Sequence, residues 1–201
     1  MSRFDLTDAN VFEEETPWFR SPAVLILSGV IVVALFSFLI ERLVENHRDS
    51  QTEAFLDVYS QAATPEDKLK VAQAHLGLPD TAVELLALGA TFSQASQYPS
   101  AQTAFGLVAD KFPKSPLADA GRLGEAEALE AQGKLDDALP LLQQIAGDGY
   151  RPAAYLAEAR IRQEKKDFSG ARQALQELIA KYPESSFVSE AKEKLAALPA
   201  S

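Results

Sequence analysis

Side chains able to do acid–base, nucleophilic or metal chemistry are few in this chain, and they are scattered. Cysteine is absent from the 201 residues. Thiolate nucleophiles, thiolate metal sites, disulfides and an acylated lipoprotein cysteine are therefore all excluded. His75 lies on a predicted helix, KVAQAHLGL, without a second His, Asp or Glu at ligand spacing on that face, so it reads as a packing residue. His47, in ERLVENHRDS, reads as solvated or close to lipid headgroups. Asp136-Asp137 resembles a carboxylate pair, but both fall in the first turn of a predicted helix, where acids favour the macrodipole. Gly147-Asp148-Gly149 is a turn; no Gly-Lys-Ser/Thr follows to make it a phosphate loop. Glu13-Glu14-Glu15 is a solvated charge run. No catalytic, cofactor-binding or metal-binding residue is expected, and the chain does not read as an enzyme.

Binding is what remains, and the composition narrows the partner. Nineteen basic residues against 29 acidic ones give a net charge of −10, the wrong sign for a nucleic-acid partner. Hydrophobic residues make up 47%, with eleven Phe, enough to build a core. Two kinds of element could place a binding surface.

The first is an apolar segment. Residues 23–40, AVLILSGVIVVALFSFLI, carry no charge, and such a helix covers about 27 Å, close to a bilayer core. Pro22 opens it, Glu41-Arg42 closes it (an extension to about residue 46 is compatible), and Trp18 and Phe19 stand where rings favour headgroups. A cleaved signal peptide fits less well, because the preceding 22 residues are acidic and no small-residue pair follows. The expectation is one transmembrane helix contacting the lipid bilayer through residues 23–40, preceded by a disordered acidic tail over 1–22. Arg3 and Arg20 before it balance Arg42 and Arg48 after it, so charge does not set the orientation.

The second is a helical repeat. From residue 50 the chain is rich in Ala, Leu, Glu, Gln and Lys, broken by Pro and Gly turns at intervals suited to antiparallel helix pairs. Thr81 and Glu84 have capping-box spacing; Thr64-Pro65 and Ser115-Pro116 put a cap before a first-turn Pro. Ala101, Phe105, Val108 and Pro113 recur as Ala171, Leu175, Leu178 and Pro183, and Ala138, Leu142 and Ile145 repeat the first two spacings. The alanines lie 37 and 33 residues apart, bracketing the ~34-residue tetratricopeptide period. Leu85, Leu88, Gly89 and Phe92 fill the first helix of that pattern; Glu125, Glu158 and Arg162 depart from it in later units, and Asp67, Val71, Ala74 and Pro79 echo a degenerate earlier one. The expected fold is therefore all-α: a single N-terminal transmembrane helix, then an α-solenoid of tetratricopeptide-like pairs sharing a continuous core. Residues 41–80 form a juxtamembrane helix and degenerate first repeat. Three repeats cover 81–185 (81–115, 116–150 and 151–185), and 186–201 are a capping helix with Ser186 as its cap.

Stacked pairs present the first helix of each pair on one concave face. Projection of the repeat places Val83, Leu86, Ala90, Leu123, Glu127, Glu130, Leu156, Arg160 and Gln163 there, apolar at one end and mixed in charge at the other. Repeats that clamp chaperone C-termini carry Lys, Asn and Arg at positions filled here by Leu86, Ala90, Ala120 and Gly124, so a carboxylate clamp is not expected.

Gly147-Asp148-Gly149-Tyr150, Ala157-Glu158-Ala159-Arg160 and Lys166-Asp167-Phe168-Ser169-Gly170-Ala171-Arg172, behind an N-terminal anchor, resemble the ancillary subunit of the bacterial SecYEG translocon (YfgM type), whose repeat domain is related to the cell-division coordinator CpoB. That resemblance implies a single-pass inner-membrane protein with a cytoplasmic N-terminus and periplasmic repeats, whose partners are the translocon, periplasmic chaperones or unfolded chains. The alternative role is a structural scaffold in cell-envelope assembly or division.

Overall fold

Proline, glycine and short polar side chains set the helix limits. The computed structural model describes residues 22–199, with side chains from Leu35 onward. The described helices are α1 (Pro22–Gln61), α2 (Pro65–Ala74), α3 (Asp80–Gln94), α4 (Tyr98–Lys111), α5 (Ala118–Ala131), α6 (Leu135–Gln143), α7 (Arg151–Glu164), α8 (Phe168–Lys181) and α9 (Val188–Ala197). The acidic tail expected over 1–22 lies outside the described residues, apart from Pro22. The chain divides into two units, residues 1–50 and 51–201, with α1 running through the boundary.

In the first unit, α1 begins at Pro22 as expected but does not stop at Glu41-Arg42 or near residue 46. The i to i−4 ladder tolerates surface charges, and no Pro or Gly interrupts 41–61. Among the described residues no helix is long and apolar enough to cross a membrane. The side chains of residues 23–34, most of the expected span, lie outside those described.

The second unit is a sequence of helix pairs. Neighbouring helices pack in chain order from α2 to α9, and α3 also touches α5, as α5 touches α7. The first helices of the pairs thus lie side by side. Their turns are alike in detail: Ser96, Gly133 and Lys166, each five residues before the signature alanine, all adopt the left-handed region at φ 59°, 74° and 62°. The next amide reaches back five residues in each case, from Gln97 to Phe92 O (2.8 Å), Lys134 to Leu129 O (2.9 Å) and Asp167 to Arg162 O (2.8 Å). Such bonds satisfy the orphan carbonyls of the first helix and reverse the chain.

The links between pairs repeat as well. After α4 and after α8 the chain runs aromatic-Pro-x-Ser. Ser115 N donates to Phe112 O (2.9 Å) and Ser185 N to Tyr182 O (3.0 Å). Ser115 Oγ then accepts from Leu117 N and Ser185 Oγ from Phe187 N. Ser115 therefore shapes a turn rather than capping α5, and Ser185, not Ser186, does so before α9. Thr64 caps α2 as expected, accepting from Asp67 N. The Thr81–Glu84 capping box does not form: Thr81 is buried within α3, and its hydroxyl donates to His75 O (2.8 Å). His75 donates through Nδ1 to Val71 O (2.7 Å), with its ring 5.2 Å from Phe55. In α2 it is Ala72 that is buried, while Ala74 is exposed, so the Asp67–Val71–Ala74 echo is out of register.

The apolar core is also not continuous. It separates into clusters around Leu85, Phe92 and Val108, around Leu129, Leu142 and Ile161, and around Leu175 and Leu178. The departures from the repeat pattern find polar or open surroundings. The Glu125 carboxylate lies over Gly106, where an added Cβ would come within 3.1 Å of it. Glu158, 5% exposed, pairs with Arg151 at 2.9 Å, and Arg162 with Asp167 at 3.0 Å. Buried polar groups need polar partners; here Arg151, on the same helix, supplies one for Glu158, and the cap residue of α8 supplies one for Arg162.

Candidate protein-binding face

The candidate face is built on α3, α5 and α7. On α3, Val83 is 56% exposed, Ala87 and Ala90 are exposed, and Leu86 is half-buried against the first core cluster. On α5, Leu123 is half-buried against the middle cluster and Glu127 is exposed. Glu130 grips Arg160 of α7 with both oxygens, one contact being Nη2 to Oε2 at 2.6 Å and the other involving Nε. Gln163 is exposed. Leu156 is a correction: it is 7% exposed and belongs to the core cluster of Ala171 and Leu175, so it offers no surface to a partner. Arg160 and Glu130 are likewise occupied with each other, bracing α5 against α7.

The electrostatics follow from that pairing. The hydrogen bonds it donates to Glu130 hold the Arg160 guanidinium above its ordinary range, outweighing desolvation. Desolvation raises the Glu127 carboxyl, although part of the side chain is open to solvent; Arg160 offsets this and Glu130 adds to it. Glu125 is raised by burial first and Asp110 second, with a hydrogen bond from Gln102 in opposition.

A cavity of about 410 Å³ adjoins the apolar end, between the last turns of α1, the start of α2 and α3. Ala62, Ala63, Ala87 and Thr91 contribute to its wall beside the Tyr59 ring. Burial, followed by Glu84, pushes the Tyr59 phenol well above its usual range. Lys68 lies 5.2 Å from the Tyr59 ring centroid. The residues that make this cavity lie largely in a stretch read from sequence as a degenerate unit. The available signal was Phe55-x3-Tyr59 just before the Thr64-Pro65 start, which puts two aromatics on one face of a helix facing α2.

A second cavity, about 200 Å³ and polar, opens beside the shortened α6, with Gln143, Arg151, Tyr155, Glu158 and Glu177 in its lining. Among the described residues no group of three or more His, Asp or Glu is placed to hold a metal ion.

Residues 129–198, from the last turn of α5 through α9, match the tetratricopeptide repeat family model. That stretch is similar to the tetratricopeptide repeat. No match is found among curated proteins. Tetratricopeptide repeats typically bind protein partners, and the matched stretch suggests a protein-binding adaptor role.

Proposed function

We propose that this protein is a membrane-anchored, non-catalytic adaptor whose tetratricopeptide repeats take polypeptide segments on the face of α3, α5 and α7. The observation that carries the reading is the row of side-by-side first helices with Val83, Ala87 and Ala90 open to solvent and Leu86 and Leu123 half-open. Residues 23–40 act as the anchor in this proposal. The uncharged run supports it, as do the exposed Leu35, Phe36, Phe38, Leu39 and Ile40, since helix-borne apolar surface of that kind needs a lipid or protein cover. The resemblance to the translocon's ancillary subunit extends the proposal to an inner-membrane protein with a cytoplasmic tail and periplasmic repeats. Its partners are then the translocon, periplasmic chaperones or unfolded chains.

Photo-crosslinking in cells from Val83, Ala90 and Leu123, with buried Leu156 as the control, tests the binding face. Adducts with translocon, chaperone or nascent chains from the first three positions and none from Leu156 are expected. Equal labelling from all four, or adducts only with cytoplasmic proteins, would overturn it. Detergent-dependent extraction together with an active periplasmic reporter at the C-terminus is expected; release by salt alone removes the anchor. Septal localisation with unchanged secretion on deletion would favour a division scaffold instead.

A further inference from the structure

The candidate face changes in charge as well as in polarity along its length. α3 offers Val83, Leu86, Ala87 and Ala90, and the alanine-walled cavity beside Tyr59 adjoins them. α5 offers Glu127 and Glu130. The cation available from α7, Arg160, is held by Glu130 through two hydrogen bonds. Glu127 therefore stands next to a second carboxylate that already holds both hydrogen bonds of the nearby guanidinium. Desolvation raises its carboxyl, the charge of Arg160 offsets part of that rise, and Glu130 adds to it. A carboxylate in that position favours a cation brought from outside, and the chain's net charge of −10 adds a long-range pull of the same sign. At the cavity, Lys68 lies against the Tyr59 ring, and the alanines leave room for an apolar group.

We propose that the face selects a polypeptide segment carrying both a large apolar side chain and a lysine or arginine. The apolar group fills the cavity beside Ala87, and the cation meets Glu127. Adjacent packed helices lie about 8–10 Å apart, and extended chain advances about 3.3 Å per residue. The two determinants are thus about three residues apart in the bound segment. Acidic segments are repelled. This inference rests on the protein-binding reading above and adds the chemistry of the ligand to it.

The test uses the full chain in detergent micelles and three labelled peptides. One has Phe and, three residues away, Lys; the second has Glu in place of Lys; the third has Ser in place of Phe. Fluorescence anisotropy is expected to rank the first about five- to tenfold tighter than the second, in line with one partly exposed ion pair, with a gap that closes in high salt. Glu127→Lys should reverse that order. Ala87→Trp, which fills the cavity from an exposed position, should remove the advantage of Phe over Ser. Equal affinity for the Lys and Glu peptides, an order unchanged by Glu127→Lys, or failure of the native protein to bind any of them overturns the proposed selectivity. If Val83 crosslinks persist in cells in those cases, the adaptor reading stands alone; if they are also absent, both fall.

Discussion

The junction between α4 and α5 and the junction between α6 and α7 occupy equivalent places in the repeat and are held together in opposite ways. At α4–α5 side chains have been removed. The Phe105 ring fits between Gly89 and Gly124, where added Cβ atoms would lie 2.6 and 2.7 Å from it. Gly121 lets α5 approach so closely that a Cβ there would come within 2.9 Å of Phe105 O and 3.0 Å of Ala109 N. At α6–α7 polar braces have been added. α6 contains Pro140 and ends at Gln143, well short of the 14-residue α4 and α8. Asp119 Oδ2 accepts from Gly147 N (2.8 Å) while Oδ1 pairs with Arg122 (2.7 Å), and Arg151 donates to Leu142 O (2.7 Å) as it pairs with Glu158. One repeat thus closes by close packing alone, the other with added hydrogen bonds to backbone groups around the end of the short helix. Dispersion and burial hold the first; in the second, the packing of Leu142 and Ile145 on Ala154 and Ile161 is joined by hydrogen bonds, each of modest net worth.

The contrast is broken most forcefully at the dry junction. Phe105→Ala should cost about 3–4 kcal/mol by emptying the notch between two glycines that cannot refill it, seen as a lowered denaturation midpoint. Asp119→Ala should cost less, about 1–2 kcal/mol, with faster hydrogen exchange at Gly147 and little change at Ala109; equal acceleration at both would deny that the junctions act separately.

Acid sharpens the same distinction. The carboxyl of Glu177 is held down at about 2 by bonds from Lys181, Tyr155 and Gln173. Its contribution is therefore complete above the ordinary value of 4.5 and is lost as pH falls from about 5 towards 2. Burial shifts Glu158 the other way, so its cost is present at neutral pH and eases on acidification. Glu177→Gln should cost about 1 kcal/mol at neutral pH, a figure kept small because solvent screens the Lys181 pair, and should flatten the loss of stability below pH 5. An unchanged acid limb would exclude Glu177 as its source. The smallest effect lies in a turn: Lys166→Gly, which relieves a left-handed side-chain residue, should raise stability by about 0.5–1 kcal/mol, and a decrease would show that the Lys166 side chain has a role of its own.

The repeat was legible because its signals are local. Ala101, Ala138 and Ala171 mark places where helices cross closely, and Pro113 and Pro183 mark places where the hydrogen-bond ladder must stop. Leu156 was misplaced because projecting an ideal repeat assumes every first helix is equally covered; α7 buries eight of its residues, including Glu158, and takes Leu156 inward with them. The Tyr59 cavity went unseen because its walls come from three helices whose pairing has no motif. Thr81 looked like a cap because capping spacing is a local pattern, whereas its burial depends on the neighbours of α3.

By itself the sequence determined the all-α repeat, its period, the scarcity of chemically reactive side chains and the uncharged run near the N-terminus. These depend on residue type and spacing along one chain. Only the tertiary structure decided that the core is divided, that Glu130 takes both hydrogen bonds of Arg160 while Glu127 feels only its charge, and that glycine notches seal one junction while hydrogen bonds span the next. Those outcomes depend on which groups from distant segments come within a few ångströms of each other. A one-dimensional pattern carries no record of such distances.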